Sequence, residues 1–172
     1  MSLAHALPHD LPNWSTVYLY FREWKQAGVW EQVNAALRRE VRVSVGREPK
    51  PSAAIVDSQS IKTSSVRGDA RGYDGGKKIQ GRKRHLLVDT LGLLLKVKVL
   101  AADIADREGA MVLLLSLVGK LPRLLLIWAD SGYAGTPFKQ WVKDHLAIRL
   151  EIVKHAWTGL RGVWAPQGTT ID

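Results

Sequence analysis

Ala53-Ala54-Ile55-Val56-Asp57-Ser58-Gln59-Ser60-Ile61-Lys62-Thr63 is the stretch whose reading decides the fold. Small and apolar residues deliver an aspartate, and a polar run follows at once. The pattern predicts a buried strand whose last residue leaves the sheet carrying a carboxylate. A second such unit is Leu124-Leu125-Leu126-Ile127-Trp128-Ala129-Asp130, followed by Ser131-Gly132-Tyr133. If the two strands are parallel neighbours, their C-terminal ends meet at the switch point of the sheet, where open α/β folds bind ligands. Neighbouring strands lie about 4.8 Å apart, so Asp57 and Asp130 could share a divalent cation. Mg²⁺ or Mn²⁺ suits such a donor set, being hard and oxygen-seeking. The plainer alternative is that each aspartate ends a strand and hydrogen-bonds into its own turn.

Between the two aspartates lies a basic, glycine-rich segment. Residues 62–81 carry Lys62, Arg67, Arg71, Lys77 and Lys78 among Gly68, Gly72, Gly75, Gly76 and Gly81. Gly76-Lys77 is followed by Lys78 rather than Ser or Thr, so the segment is not a P-loop. It reads as a flexible cationic loop. With Arg82, Lys83 and Arg84 it forms a run suited to DNA phosphates, or alternatively a solvated basic surface. Residues 82–88 and 93–100 then make a hairpin across Asp89-Thr90-Leu91-Gly92. His85 on its first arm is either a phosphate donor or a packed strand histidine. Asp106 is placed to cap a helix bearing Met111, Leu114, Leu115 and Val118, and Thr136 to cap another with Phe138, Trp141, Val142 and His145 inward. A last strand covers 149–154.

Upstream, Val17, Tyr20, Phe21 and Trp24 recur at helical spacing over 13–27, and Trp30, Val33, Ala36, Leu37 and Val41 continue it beyond Gly28. Two helices around a glycine form a hairpin that either reads DNA or packs on the larger domain. Trp14, Trp24, Trp30, Trp128 and Trp141 all fall on expected core stripes. Residues 46–52, with Pro49 and Pro51, read as a linker.

Composition sets the partner class. Lys plus Arg number 25 against 16 Asp plus Glu, a net charge of +9 over 172 residues, which favours a polyanion. With no cysteine, disulfides and thiolate metal sites are excluded. Neither a leader nor a membrane span is expected, because Lys120, Pro122 and Arg123 interrupt the longest apolar runs. The expected location is cytoplasmic.

Val56-Asp57-Ser58-Gln59-Ser60-Ile61-Lys62-Thr63, Gly72-Tyr73-Asp74-Gly75-Gly76-Lys77-Lys78, Gly81-Arg82-Lys83-Arg84-His85-Leu86-Leu87-Val88-Asp89 and Trp128-Ala129-Asp130-Ser131-Gly132-Tyr133-Ala134-Gly135 resemble the motifs of bacterial DDE transposases. More narrowly, they are similar to the group named after insertion sequence 5. The resemblance implies an α/β, RNase H-like fold with a mixed five-stranded sheet and flanking helices, preceded by the N-terminal helical hairpin. It implies that Asp57 and Asp130 are the first two catalytic, metal-holding acids of a triad, with Mg²⁺ or Mn²⁺ as cofactor. It further implies double-stranded DNA at element ends and targets as partner, with Lys62, Arg67, Arg71, Lys77, Lys78, Arg82, Lys83 and Arg84 on its backbone; a homodimer is left open. The expected organisation is a helical segment over 1–46, a catalytic core over 53–155 and an irregular tail over 156–172. The family's third acid is a glutamate on a later helix in an Arg-rich stretch. Neither Glu151 nor Asp172 matches it, so a truncated transposase, weakly active or inactive alone, is expected. The alternatives are a non-catalytic DNA-binding remnant or regulator of the full-length enzyme, and a cellular RNase H-like nuclease.

Overall fold

The computed structural model describes residues 8, 10–63 and 71–153. Arg67, most of the N-terminal arm and the tail expected over 156–172 lie outside the described residues. The chain divides into two compact units at Pro49/Lys50.

The first unit is a pair of helices. Asn13 caps α1 (Trp14–Gln26) by accepting a hydrogen bond from the Ser15 N–H, which satisfies one of the donors a helix start leaves open. Gly28 takes φ +70, a left-handed conformation that permits a short turn into α2 (Val29–Ser44). The helices meet through aromatic rings: Trp30 lies 5.8 Å from Phe21 and 5.5 Å from Trp24, centroid to centroid. The expected core stripe is not buried. Trp14, Trp24 and Trp30 each remain more than a third exposed, because two helices alone cannot cover indole rings on both sides.

The second unit is built on β1 (Ala53–Lys62), the centre of a six-stranded sheet. On one side β1 pairs antiparallel with β3 (Ile79–Asp89), in register from Ala54↔Asp89 to Lys62↔Gly81. On the other it pairs parallel with β5 (Leu126–Ala129), which pairs parallel with β6 (Arg149–Ile152). The far edge of β3 carries two strands end to end, β2 (Gly72–Asp74) on Ile79–Gly81 and β4 (Leu94–Ala101) on Arg82–Val88. An antiparallel trio continued by parallel strands in the order β4-β3-β1-β5-β6 is the RNase H-like arrangement. Two details depart from expectation. Residues 72–74, read as loop, form a sixth strand. Strand β1 does not end at Asp57 but runs five residues further, because its polar half has an equally long partner in β3.

α3 (Asp106–Leu115) and α4 (Thr136–Leu146) pack on one face of this sheet. Ala54, Val56, Leu87, Ile127, Ala129 and Leu150 from the strands meet Ala110, Leu113, Leu114, Phe138 and Val142 from the helices. Each large side chain so buried contributes roughly 1.5–3 kcal/mol. The buried stripe of α3 is Gly109, Ala110, Leu113 and Leu114, while Leu115 and Val118 are exposed; His145 of α4 is exposed too. Helix α3 sits so close to β3 that a Cβ at Gly109 would fall on the buried His85 ring. Overpacking of this kind costs about 1–3 kcal/mol. Gly109→Ala is therefore expected to lower the unfolding free energy by that amount, read as a lower urea midpoint with an unchanged slope, and an unaltered midpoint would show that the helix can lift off freely.

Candidate functional site

The parallel pairing of β1 with β5 runs Ala53↔Leu126, Ala54↔Ile127, Ile55↔Trp128. Continued by two residues, that register sets Asp57 opposite Asp130, which lies one residue beyond β5. Both side chains are exposed. Asp57 Oδ1 accepts the Ser58 N–H at 2.7 Å, and Asp130 Oδ1 accepts the Gly132 N–H at 2.9 Å at the start of the 3-10 turn Ser131–Tyr133. Among the described residues neither carboxylate is ion-paired, so each retains oxygen lone pairs for a hard cation. The donor chemistry fits Mg²⁺ or Mn²⁺ held by two carboxylates, with water and phosphate oxygens completing the shell. Among the described residues no group of three or more His, Asp or Glu side chains is close enough to hold an ion.

Directly behind this pair, on the helix face, the core becomes polar. Alternation along β1 and β3 turns Ser58, Ser60, Lys83 and His85 inward, with Ser58 opposite His85 and Ser60 opposite Lys83. Lys83 is buried, and its ammonium lies 2.9 Å from Asp106 Oδ1 and 3.7 Å from Asp74 Oδ2 while donating to the Ile104 carbonyl at 2.9 Å. Ser58 Oγ donates to Asp106 Oδ1 at 2.8 Å, and Ser60 Oγ donates to Asp74 Oδ2. Burial pushes the Asp106 carboxyl up, but the hydrogen bonds from Lys83 and Ser58 outweigh it and hold the group below the usual range. Asp74 is lowered as well, chiefly by Ser60 and then by the Lys77 N–H. Tyr133, fully buried, brings its hydroxyl beside Ser58 without a hydrogen-bond partner among the described residues. Burial raises its pKa most; Ser58 lowers it, and the charges of Asp106, Asp57 and Asp130 raise it further. All three carboxylates thus face one phenol.

The expected phosphate-binding residues separate by burial. Lys62, Arg71, Lys77, Lys78 and Arg84 are exposed and Arg82 is half-buried. Lys83 departs from expectation: its ammonium is engaged inside the unit and has no free face for a phosphate. Arg84 and Gln59, hydrogen-bonded at 3.2 Å, share the sheet face of Asp57, opposite the helices. Sequence reasoning missed Ser58, Ser60, Lys83 and Asp106 as one assembly. Their trace was present, since polar residues two apart on both strands coincide in the antiparallel register.

The family described as "Transposase DDE domain" matches residues 48–156, more than half of the chain. The chain belongs to the DDE transposase domain family. A second description, "Putative transposase of IS4/5 family", matches residues 5–34, within the helical unit. No curated protein matches. A cryo-EM structure of the piggyBac transposase synaptic complex with hairpin DNA is similar at 15% identity and a TM-score of 0.42, covering 66% of this chain and 25% of that one. This DDE domain therefore spans a quarter of that transposase's length. Among the described residues no helix is long and apolar enough to cross a membrane.

His85 supplies a pH test of the polar core end. Burial lowers its pKa from 6.5; Asp106 opposes the shift and Lys83 adds to it. Above pH 6.5 the ring is neutral in folded and unfolded chains alike. Below it, the unfolded chain takes up a proton that the folded DDE domain refuses, so stability falls until the folded pKa is reached. The carboxylates of Asp74 and Asp106, with lowered pKa values, lose their contribution only below 3.8. Unfolding free energy should decline below pH 6.5 by up to about 1.4 kcal/mol per pH unit. Denaturant titrations of His85→Leu should lack that slope, and an unchanged slope would assign it to another group.

Proposed function

We propose that this chain carries the catalytic centre of a DNA transposase, with Asp57 and Asp130 as the carboxylates that hold a divalent cation, Mg²⁺ or Mn²⁺. The register that sets the two opposite each other across adjacent parallel strands carries this reading. Chemistry supplied by a bound cation is activation of the attacking oxygen and stabilisation of the leaving oxygen in phosphoryl transfer. The chain's own part is to present the two carboxylates, Asp57 steadied by the Ser58 N–H and Asp130 by the Gly132 N–H, at the rim of a rigid sheet. Lys62 ends β1, Arg71 precedes β2, Lys77 and Lys78 lie in the β2–β3 turn and Arg82 and Arg84 on β3, and they serve to neutralise the DNA backbone around that rim.

A second reading, a DNA-binding protein without strand cleavage, is favoured by one observation. Among the described residues two carboxylates stand where in-line phosphoryl transfer benefits from more, and a misplacement of about 1 Å in such chemistry costs about a hundredfold. We accordingly propose that these 172 residues alone cleave DNA weakly. Asp57→Asn and Asp130→Asn should each abolish Mn²⁺ binding, read by the electron paramagnetic resonance of free Mn²⁺, and any Mn²⁺-dependent nicking, with unchanged circular dichroism. Binding that survives both changes rules out the metal assignment.

Phosphate neutralisation has a separate signature. Each contact adds about 0.9 to the fall of log K per decade of salt. Fluorescence anisotropy with duplex DNA should give a steep slope, and Lys77→Ala with Lys78→Ala together should flatten it by about two contacts. A slope untouched by that pair places the DNA elsewhere.

A further inference from the structure

Each candidate metal-holding aspartate is followed by a residue that plunges through to the helix face. After Asp57 comes Ser58, whose N–H holds Asp57 Oδ1 and whose hydroxyl donates to Asp106 Oδ1 at 2.8 Å. After Asp130 come Gly132, whose N–H holds Asp130 Oδ1, and Tyr133, whose ring is buried beside Ser58. A Cβ built on Gly132 would stand 3.1 Å from Asp130 Oδ1 and 3.8 Å from Asp106 Oδ2, so both carboxylates lie beside that glycine. Asp106 therefore accepts a hydrogen bond from the residue that holds Asp57, Ser58, and lies beside the residue that holds Asp130, Gly132.

We infer that Asp106, clamped by the buried Lys83, is the positioning residue that fixes Asp57 and Asp130 relative to each other; the inference rests on the metal assignment proposed above. Lys83 fits it for the task. Its ammonium joins three segments of chain, the end of β2 through Asp74, its own strand β3, and the entry to α3 through Asp106 and the Ile104 carbonyl. One lysine against two aspartates leaves one net negative charge in this assembly. Lys77, an exposed residue whose ammonium lies 3.5 Å from the Ser58 carbonyl, acts on Asp106 as a second cation. Asp106 thus stays ionised and anchored, its Oδ1 shared by Lys83 and Ser58. It holds the candidate site from behind, as groups that orient metal ligands do, and losing such a group typically weakens metal affinity 10–100-fold.

The test uses the full 172-residue chain and Mn²⁺ alone. Affinity is read by electron paramagnetic resonance, with thermal melting by circular dichroism run on every variant. Asp106→Asn is expected to weaken Mn²⁺ binding about tenfold or more. Ser58→Ala, which severs only the Asp57 side of the link and leaves the Lys83–Asp106 pair intact, should weaken it in the same direction at a temperature where the chain is fully folded. A merely structural Asp106 would lower the melting temperature and leave the affinity of the folded chain unchanged. Wild-type affinity in both Asp106→Asn and Ser58→Ala, alongside abolished binding in Asp57→Asn and Asp130→Asn, overturns the positioning role and leaves the metal assignment standing. Wild-type affinity in Asp57→Asn and Asp130→Asn overturns both. Should Asp106→Asn fail to fold, Ser58→Ala decides the question by itself.

Discussion

The parallel contact between β1 and β5 is the constraint on which the rest depends. Only three residue pairs make it, Ala53↔Leu126 to Ile55↔Trp128, yet it joins segments more than seventy residues apart and sets the height at which Asp57 and Asp130 emerge. A slip by one residue would turn every side chain of β5 to the other face, sending Ile127 and Ala129 out of the core and Trp128 into it. Register is therefore enforced by burial on the helix face, where Ile127 is fully enclosed against Ala54 and its neighbours. The apolar core and the exposed carboxylates are two readings of one alignment.

Toward the far end of β1 the same face changes character. An apolar continuation there would be simpler to stabilise, since a buried lysine and its carboxylates must recover their lost hydration through close geometry. The chain instead supplies hydrogen bonds to Asp106, Asp74 and Lys83 from hydroxyls, a carbonyl and backbone N–H groups. That satisfaction makes the assembly tolerable. It also confers direction, since an ion pair with several fixed partners admits far fewer arrangements than a greasy contact. Tyr133 and His85 are exceptions: the Tyr133 hydroxyl and both His85 ring nitrogens are buried without a hydrogen-bond partner among the described residues.

Much of this was legible in the residues. The runs into Asp57 and Asp130 announced central strands, the Asp89–Gly92 turn announced a hairpin, and Gly28 announced the break between two helices. What the one-dimensional pattern hid were matters of partner and reach. The polar half of β1 looked like loop because strand pairing depends on what lies opposite, and its partner begins only at Gly81. The three residues of β2 are too few for any period to show. Lys83 read as one more cation in a basic run, because nothing local distinguishes an inward position from an outward one until β3 is aligned with β1. The indoles of the helical unit misled in the opposite sense: helical spacing identifies a common face but not whether anything covers it.

The meeting of His85 with Gly109 carries a consequence for descent. An imidazole on a strand fills the space that a methyl on the helix would need, so the two positions share one volume although 24 residues separate them. In chains descended from a common ancestor with this one, a larger residue at the helical site should accompany a smaller one on the strand. The two positions would then drift as a linked pair, while their sequence neighbours change independently.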